Sequence, residues 1–193
     1  MKEEEYMRVG TTLYKVVNQP CASGGYEKRR VIWNNSTLRQ DYGKNYLATV
    51  PKYDGFCTVP DHLNYRKEID GFLNLYEPIE HTPQIGDFPN IRSLVLHIFG
   101  EQYNLGLDYL QLLFLQPLQK LPILLLVSEE RNTGKSTFLN FLKAVFGDNV
   151  TFNTNEDFRS QFNSDWAGKL LIVVDEVLLN RREDSERLKN LST

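Results

Sequence analysis

At 193 residues the chain has room for one sizeable domain or two small ones, and its formal net charge of -3 gives no global basic field that would hold nucleic acid by charge alone. The hydrophobic fraction of 41% and the charged fraction of 24% are those of an ordinary globular protein, without internal repeats or low-complexity tracts. The acidic start, Met1 to Glu5, is not followed by a long apolar run, so the sequence reads as cytoplasmic with no membrane partner. Cys21 and Cys57 stand far apart, as do His62, His81 and His97, and none has a neighbour at ligand spacing. Free thiols are expected, and no histidine is given a role.

The first third is β-rich. Tyr6 to Val17 has strand character, and Val31-Ile32-Trp33 has it again after Gly24-Gly25, which suits a turn between two strands. Lys28-Arg29-Arg30 lies between Tyr26 and Trp33. Such a triplet can meet a nucleic-acid backbone with stacking support, but it reads first as a solvated strand edge that discourages aggregation. From Asn35 to Tyr65 the text is turn-rich, with Pro51, Gly55 and Pro60, and predicts an irregular packed segment.

After Phe72-Leu73-Asn74-Leu75-Tyr76 and a proline-bearing linker from Glu77 to Pro89, helical periodicity sets in. Ile91, Leu94, Val95, Ile98 and Phe99 form one apolar face, stopped by Gly100. A second helix over about Leu107 to Gln116 is apolar almost all round, is stopped by Pro117, and is expected to be buried between neighbours. Three segments follow from this: a small β-rich or irregular region over 1–76, a helical lead-in over 77–118, and a third segment over 119–193.

The third segment opens on LPILLLVSEERNTGKSTFLNFLKAVF, Leu121 to Phe146. Ile123 to Val127 is a continuous apolar run suited to a strand buried on both faces. Phe138, Phe141, Leu142, Val145 and Phe146 mark a buried helical face, with Gly147 where a C-cap would stand. Between them Asn132, Thr133, Gly134, Lys135, Ser136 and Thr137 supply a phosphate-binding turn. In such a turn backbone N–H groups at the helix start point at the phosphates; Lys135 can then reach the β- and γ-phosphates of ATP, and the Ser136 hydroxyl can ligate Mg²⁺. The full pattern asks for glycine where this chain has Glu129. That departure removes the residue that eases a tight turn and adds negative charge near bound phosphate, so Glu129 is expected to tune affinity.

Val150-Thr151-Phe152 can make a second strand, and Thr154 or Asn155 can cap a short helix carrying Phe158 and Phe162. Leu170 to Val174 is then an apolar run ending in Asp175 and Glu176. At the carboxyl edge of a parallel sheet, Asp175 would hold the Mg²⁺ and Glu176 would orient the water that attacks the γ-phosphate.

This order of elements resembles the nucleotide-binding half of superfamily 3 helicases, in the poxvirus-type primase-helicase branch of phages, large DNA viruses and mobile elements. The residues that carry the resemblance are Asn132 to Thr137, Phe146-Gly147, Phe158 with Phe162-Asn163, Leu171 to Glu176, and Phe72 to Tyr76 with Pro78. It covers about Val50 to the end and is more specific toward the C-terminus. The resemblance implies an α/β core of the P-loop NTPase (AAA+) type, hexameric ring assembly, and ATP hydrolysis coupled to movement along single-stranded or forked DNA. By position, Lys135 and Ser136 match its phosphate and magnesium residues, and Asp175 with Glu176 match its acidic pair.

The family's basic pore segment, polar sensor and arginine finger follow the acidic strand, and none of them is carried onto this sequence. Arg181, Arg182, Arg187 and Lys189 sit among acidic residues and read as a solvated charged helix. The chain is therefore expected to be a piece of a motor, binding nucleotide better than it hydrolyses it. Two other readings stay open. One is a non-catalytic nucleotide-dependent interaction module. The other is a P-loop small-molecule kinase, which would need lid arginines where only Arg159 lies between Thr137 and Val173.

Overall fold

The computed structural model describes residues 5–20, 26–154 and 168–174, with Glu156, Glu186 and Lys189. Cys21, Gly24-Gly25, the short helix expected around Phe158 and Phe162, Asn163, Asp175, Glu176, Arg181, Arg182 and Arg187 lie outside the described residues. The α/β chain divides into two compact units, Met1–Thr58 with Arg66–Leu75, and Val59–Tyr65 with Tyr76–Thr193.

In the first unit β1 (Tyr6–Val9) and β2 (Thr12–Pro20) pair antiparallel, β3 (Tyr26–Trp33) pairs antiparallel with β2, and β4 (Lys52–Tyr53) joins β1 in parallel. The stretch Tyr6 to Val17 is thus two strands rather than one. Val9 faces Thr12 across the two-residue turn Gly10–Thr11, which reverses the chain inside the expected run. Lys28, Arg29 and Arg30 lie on β3, an edge strand in the order β3-β2-β1-β4.

Strand alternation sends side chains to both faces of this sheet. Tyr6 and Leu13 pack with Leu38 and Val50 on one side, while Met7 and Val9 pack with Tyr53 and Leu73 on the other. Leu73 comes from a second sheet, β5 (Gly55–Cys57), β7 (Phe72–Asn74) and β6 (Glu68–Ile69) in that spatial order. Leu38 comes from α1 (Asn35–Tyr42), a helix inside the segment expected to be irregular. Its N-cap is Asn34, whose side chain accepts the Ser36 N–H at 2.7 Å.

The second unit holds α2 (Pro89–Phe99), α3 (Tyr103–Leu115), α4 (Lys135–Phe146), β8 (Val150–Asn153) and β9 (Leu171–Val174). β8 and β9 pair in parallel, Val150 opposite Leu171 and Asn153 opposite Val174. Leu113, Phe138, Leu142, Phe146, Val150 and Val173 form the buried core. Helix α3 begins at Tyr103 rather than near Leu107, and it is not buried all round: Leu105 is 61% and Leu115 47% exposed. Its buried residues are Gly106 and Leu113. A Cβ on Gly106 would come within 2.5 Å of the Phe99 ring, so the absence of a side chain there is what lets α2 and α3 close on each other. Phe99 in turn meets Phe138 of α4 edge-on, with ring centroids 5.7 Å apart.

The expected strand Ile123–Val127 is corrected. Its backbone pairs with no strand among the described residues, and Ile123, Leu125 and Val127 are 54%, 68% and 80% exposed. Leu124 and Leu126 alone turn inward onto the core. The alternation of an extended chain is present, but a strand also needs a hydrogen-bonded neighbour, and among the described residues this segment has none.

Asn149, buried after α4, fastens the linker to this helix. Its side chain accepts the Glu77 N–H at 3.0 Å and donates to the carbonyls of Glu77 at 2.8 Å and Phe146 at 3.1 Å. Nearby, the Tyr76 hydroxyl lies 3.0 Å from a ring nitrogen of His62, whose ring stacks on Phe114 at 5.2 Å. Burial holds His62 below its ordinary value of 6.5, against the opposing effects of the Leu113 backbone and Asp61. The unfolded chain therefore binds this proton more readily than the folded one. Stability is full above pH 6.5 and falls as pH drops below it. Urea unfolding at pH 7.5 and 5.5 is expected to show this loss, and His62→Gln to reduce it; an equal loss in both proteins would refute the assignment.

Candidate functional site

The loop between the extended segment and α4 is anchored at both ends. On one side the Tyr109 hydroxyl donates to the Pro122 carbonyl at 3.2 Å, and Leu124 and Leu126 pack inward. On the other, the buried face of α4, Phe138, Leu142 and Phe146, fixes the helix on the core. Between them the backbone takes two left-handed residues, Asn132 with φ 57 and Gly134 with φ 81. Glycine adopts this region freely, and asparagine is one of the few side chains that tolerate it. Glu129 is not among the positive-φ residues, so this turn does not need glycine at that position, and the exposed Glu129 is accommodated without backbone strain.

Lys135 opens α4, and its ammonium folds back over the loop. Nζ donates to Thr133 Oγ1 at 2.9 Å and to Ser128 Oγ. Ser128 Oγ donates to the Glu130 carbonyl at 2.8 Å and lies 3.0 Å from Thr133 Oγ1, which leaves the Thr133 hydroxyl as donor in that pair. The first intrahelical bond runs from the Phe138 N–H to the Gly134 carbonyl at 2.9 Å. The N–H groups of Lys135, Ser136 and Thr137 precede it and have no acceptor within the helix, at the end where the dipole favours negative charge. Ser136 and Thr137 are exposed on this first turn.

The structure thus brings Asn132, Thr133, Gly134, Lys135, Ser136 and Thr137 into one loop and helix start. Asp175 and Glu176 follow directly on Val174, the last residue of β9, and lie outside the described residues. Among the described residues no group of three His, Cys, Asp or Glu is placed to hold a metal ion, and no helix is long and apolar enough to cross a membrane. Two residues at the loop were missed by sequence reasoning. Ser128 had a usable signal, a hydroxyl set directly between the apolar run and the turn. His97 had none: its Nε2 lies 3.0 Å from the Thr133 carbonyl, a partner without a side-chain signature.

Residues 126–193 match a family of unknown function (DUF5906). Across 148 residues the chain is 25% identical to the DNA primase-polymerase of Nitratiruptor phage NrS-1, covering 73% of this chain and 20% of that protein. The fold is similar to the apo structure of the NrS-1 C-terminal region (305–718), with TM-score 0.62 and 22% identity over 93% of this chain and 47% of the solved one. A second apo form of that region gives TM-score 0.59 at 19% identity, covering 91% of this chain and 45% of the other. The chain therefore spans about a fifth of the phage protein and just under half of its solved C-terminal region.

At Gly134, with φ 81, a Cβ would stand 3.4 Å from the His97 ring, a tolerable contact, so the cost of Gly134→Ala is chiefly conformational. We expect it to lower unfolding stability by about 1–2 kcal/mol. Asn132→Gly is expected to change it by less than about 1 kcal/mol, since glycine takes the left-handed region without a steric penalty. Paired urea titrations check both, and a Gly134→Ala chain as stable as its parent would contradict the geometry.

Proposed function

We propose that this chain is the ATP-binding and ATPase portion of a phage-type DNA replication enzyme, a helicase of the primase-helicase kind. One observation carries the reading: the Lys135 ammonium, the Thr133 hydroxyl and the first-turn amides of α4, which have no acceptor within the helix, come together at one loop. A cation and oriented N–H groups at a helix start are what the β- and γ-phosphates of a nucleotide require. The donors Ser136 and Asp175, a hydroxyl and a carboxylate, are hard oxygen ligands that suit Mg²⁺. When bound, the ion would neutralise charge building up on the transferring phosphoryl group.

Within this reading, Asn132, Thr133 and Gly134 shape the turn, Lys135 holds the phosphates, and Ser136 and Thr137 present the first amides. Asp175 is the second magnesium residue, and Glu176 orients and polarises the attacking water. The replication setting is supported by similarity to the phage primase-polymerase. DNA as partner, ring assembly and movement along a strand are proposed for the whole protein, on the helicase resemblance.

Calorimetric titration with Mg²⁺ and a non-hydrolysable ATP analogue tests the site. The parent chain is expected to bind, and Lys135→Ala to bind at least about 100-fold more weakly, the scale for removing the charged partner of a phosphate. Equal affinities would overturn the assignment of the loop.

A further inference from the structure

His97 stands in the last turn of α2, where the ordinary account of a histidine is interaction with that helix's own carboxyl end. Its Nε2 instead lies 3.0 Å from the carbonyl of Thr133. A carbonyl only accepts, so this nitrogen carries the proton and donates. Thr133 is the residue between the two left-handed positions, Asn132 and Gly134, and so the center of the turn. In a trans peptide the carbonyl and the following N–H point in opposite directions, so tying the Thr133 carbonyl to α2 turns the Gly134 N–H away from α2. A reversed peptide would swap the two dipoles and place a carbonyl where an N–H would otherwise be offered to an anion.

The position of His97 is itself determined. Phe99, two residues on, has its ring edge against Phe138 of α4, and Gly106 of α3 leaves the space that ring occupies. Ile98 packs on the same core. His97 is exposed, so core packing does not account for it. What remains is its bond to the loop. We propose that His97 is a positioning residue that holds the Asn132–Gly134 turn in the one conformation that offers Lys135 and the amides of α4 to phosphate. The statement about phosphate rests on the function proposed above; the statement about the turn does not.

Two measurements on the intact chain separate these. Without nucleotide, hydrogen–deuterium exchange of the peptide 128–138 is expected to be faster in His97→Ala than in the parent. His97→Gln, whose amide N–H replaces Nε2–H, is expected to restore it. With Mg²⁺ and a non-hydrolysable ATP analogue, His97→Ala is expected to bind about tenfold more weakly, the scale of one lost hydrogen bond, and His97→Gln within about threefold of the parent. Unchanged exchange in His97→Ala overturns the proposal whatever the affinity, and so does an equal loss in both variants. A parent chain that binds no nucleotide, while the exchange difference persists, supports the positioning role and overturns the nucleotide reading instead.

Discussion

Burial of Phe138 is the contact on which the loop depends. Its side chain is fully buried, and Leu142 and Phe146 continue the stripe at i+4 and i+8. Burying one such aromatic contributes about 1.5–3 kcal/mol, enough to fix how α4 is rotated about its axis. Three residues earlier on the helix, Lys135 lies about 60° from the Phe138 direction, beside the buried stripe. Its stem is therefore half-covered and its ammonium returns over the loop, while Ser136 and Thr137 face solvent. The chemistry of the loop follows from a packing decision made one turn later.

That decision is shared among three helices. Gly106 in α3 makes room for Phe99 of α2, Phe99 meets Phe138, and the same turn of α2 carries His97 to the Thr133 carbonyl. At the far end of α4, Asn149 bonds the linker at Glu77, and the His81 Nε2–H donates to the Ala144 carbonyl at 2.7 Å. Both ends of the helix are thus held by residues from preceding segments. Likeness to the NrS-1 C-terminal region speaks for this fold. Activity has to be argued from the loop, since one fold serves many reactions.

Much of the second unit was legible because its signals are periodic. The face of α4, the Gly100 stop of α2, and the runs that become β8 and β9 all read directly from apolar spacing. Helix α1 escaped because an eight-residue polar helix with one buried residue, Leu38, has no period to detect. The division of Tyr6–Val17 turned on two residues, Gly10 and Thr11, inside a run whose composition is strand-like on both sides. Ile123–Val127 shows the opposite error: composition gives an extended chain, but pairing is a property of neighbours distant in sequence. At the candidate site the contiguous residues Asn132 to Thr137 were readable as a string. Ser128 and His97 act through a hydroxyl triangle and a backbone carbonyl, which leave no spacing pattern.

The central proposal is that the loop from Ser128 to Thr137 serves a nucleotide site together with Asp175 and Glu176, which follow β9 in sequence. Hydrogen–deuterium exchange of the chain with and without Mg²⁺ and a non-hydrolysable ATP analogue tests it most directly. The account predicts protection concentrated in peptides covering 128–138 and 171–178, with the first unit unchanged. Protection elsewhere with these two peptides unaffected would contradict it.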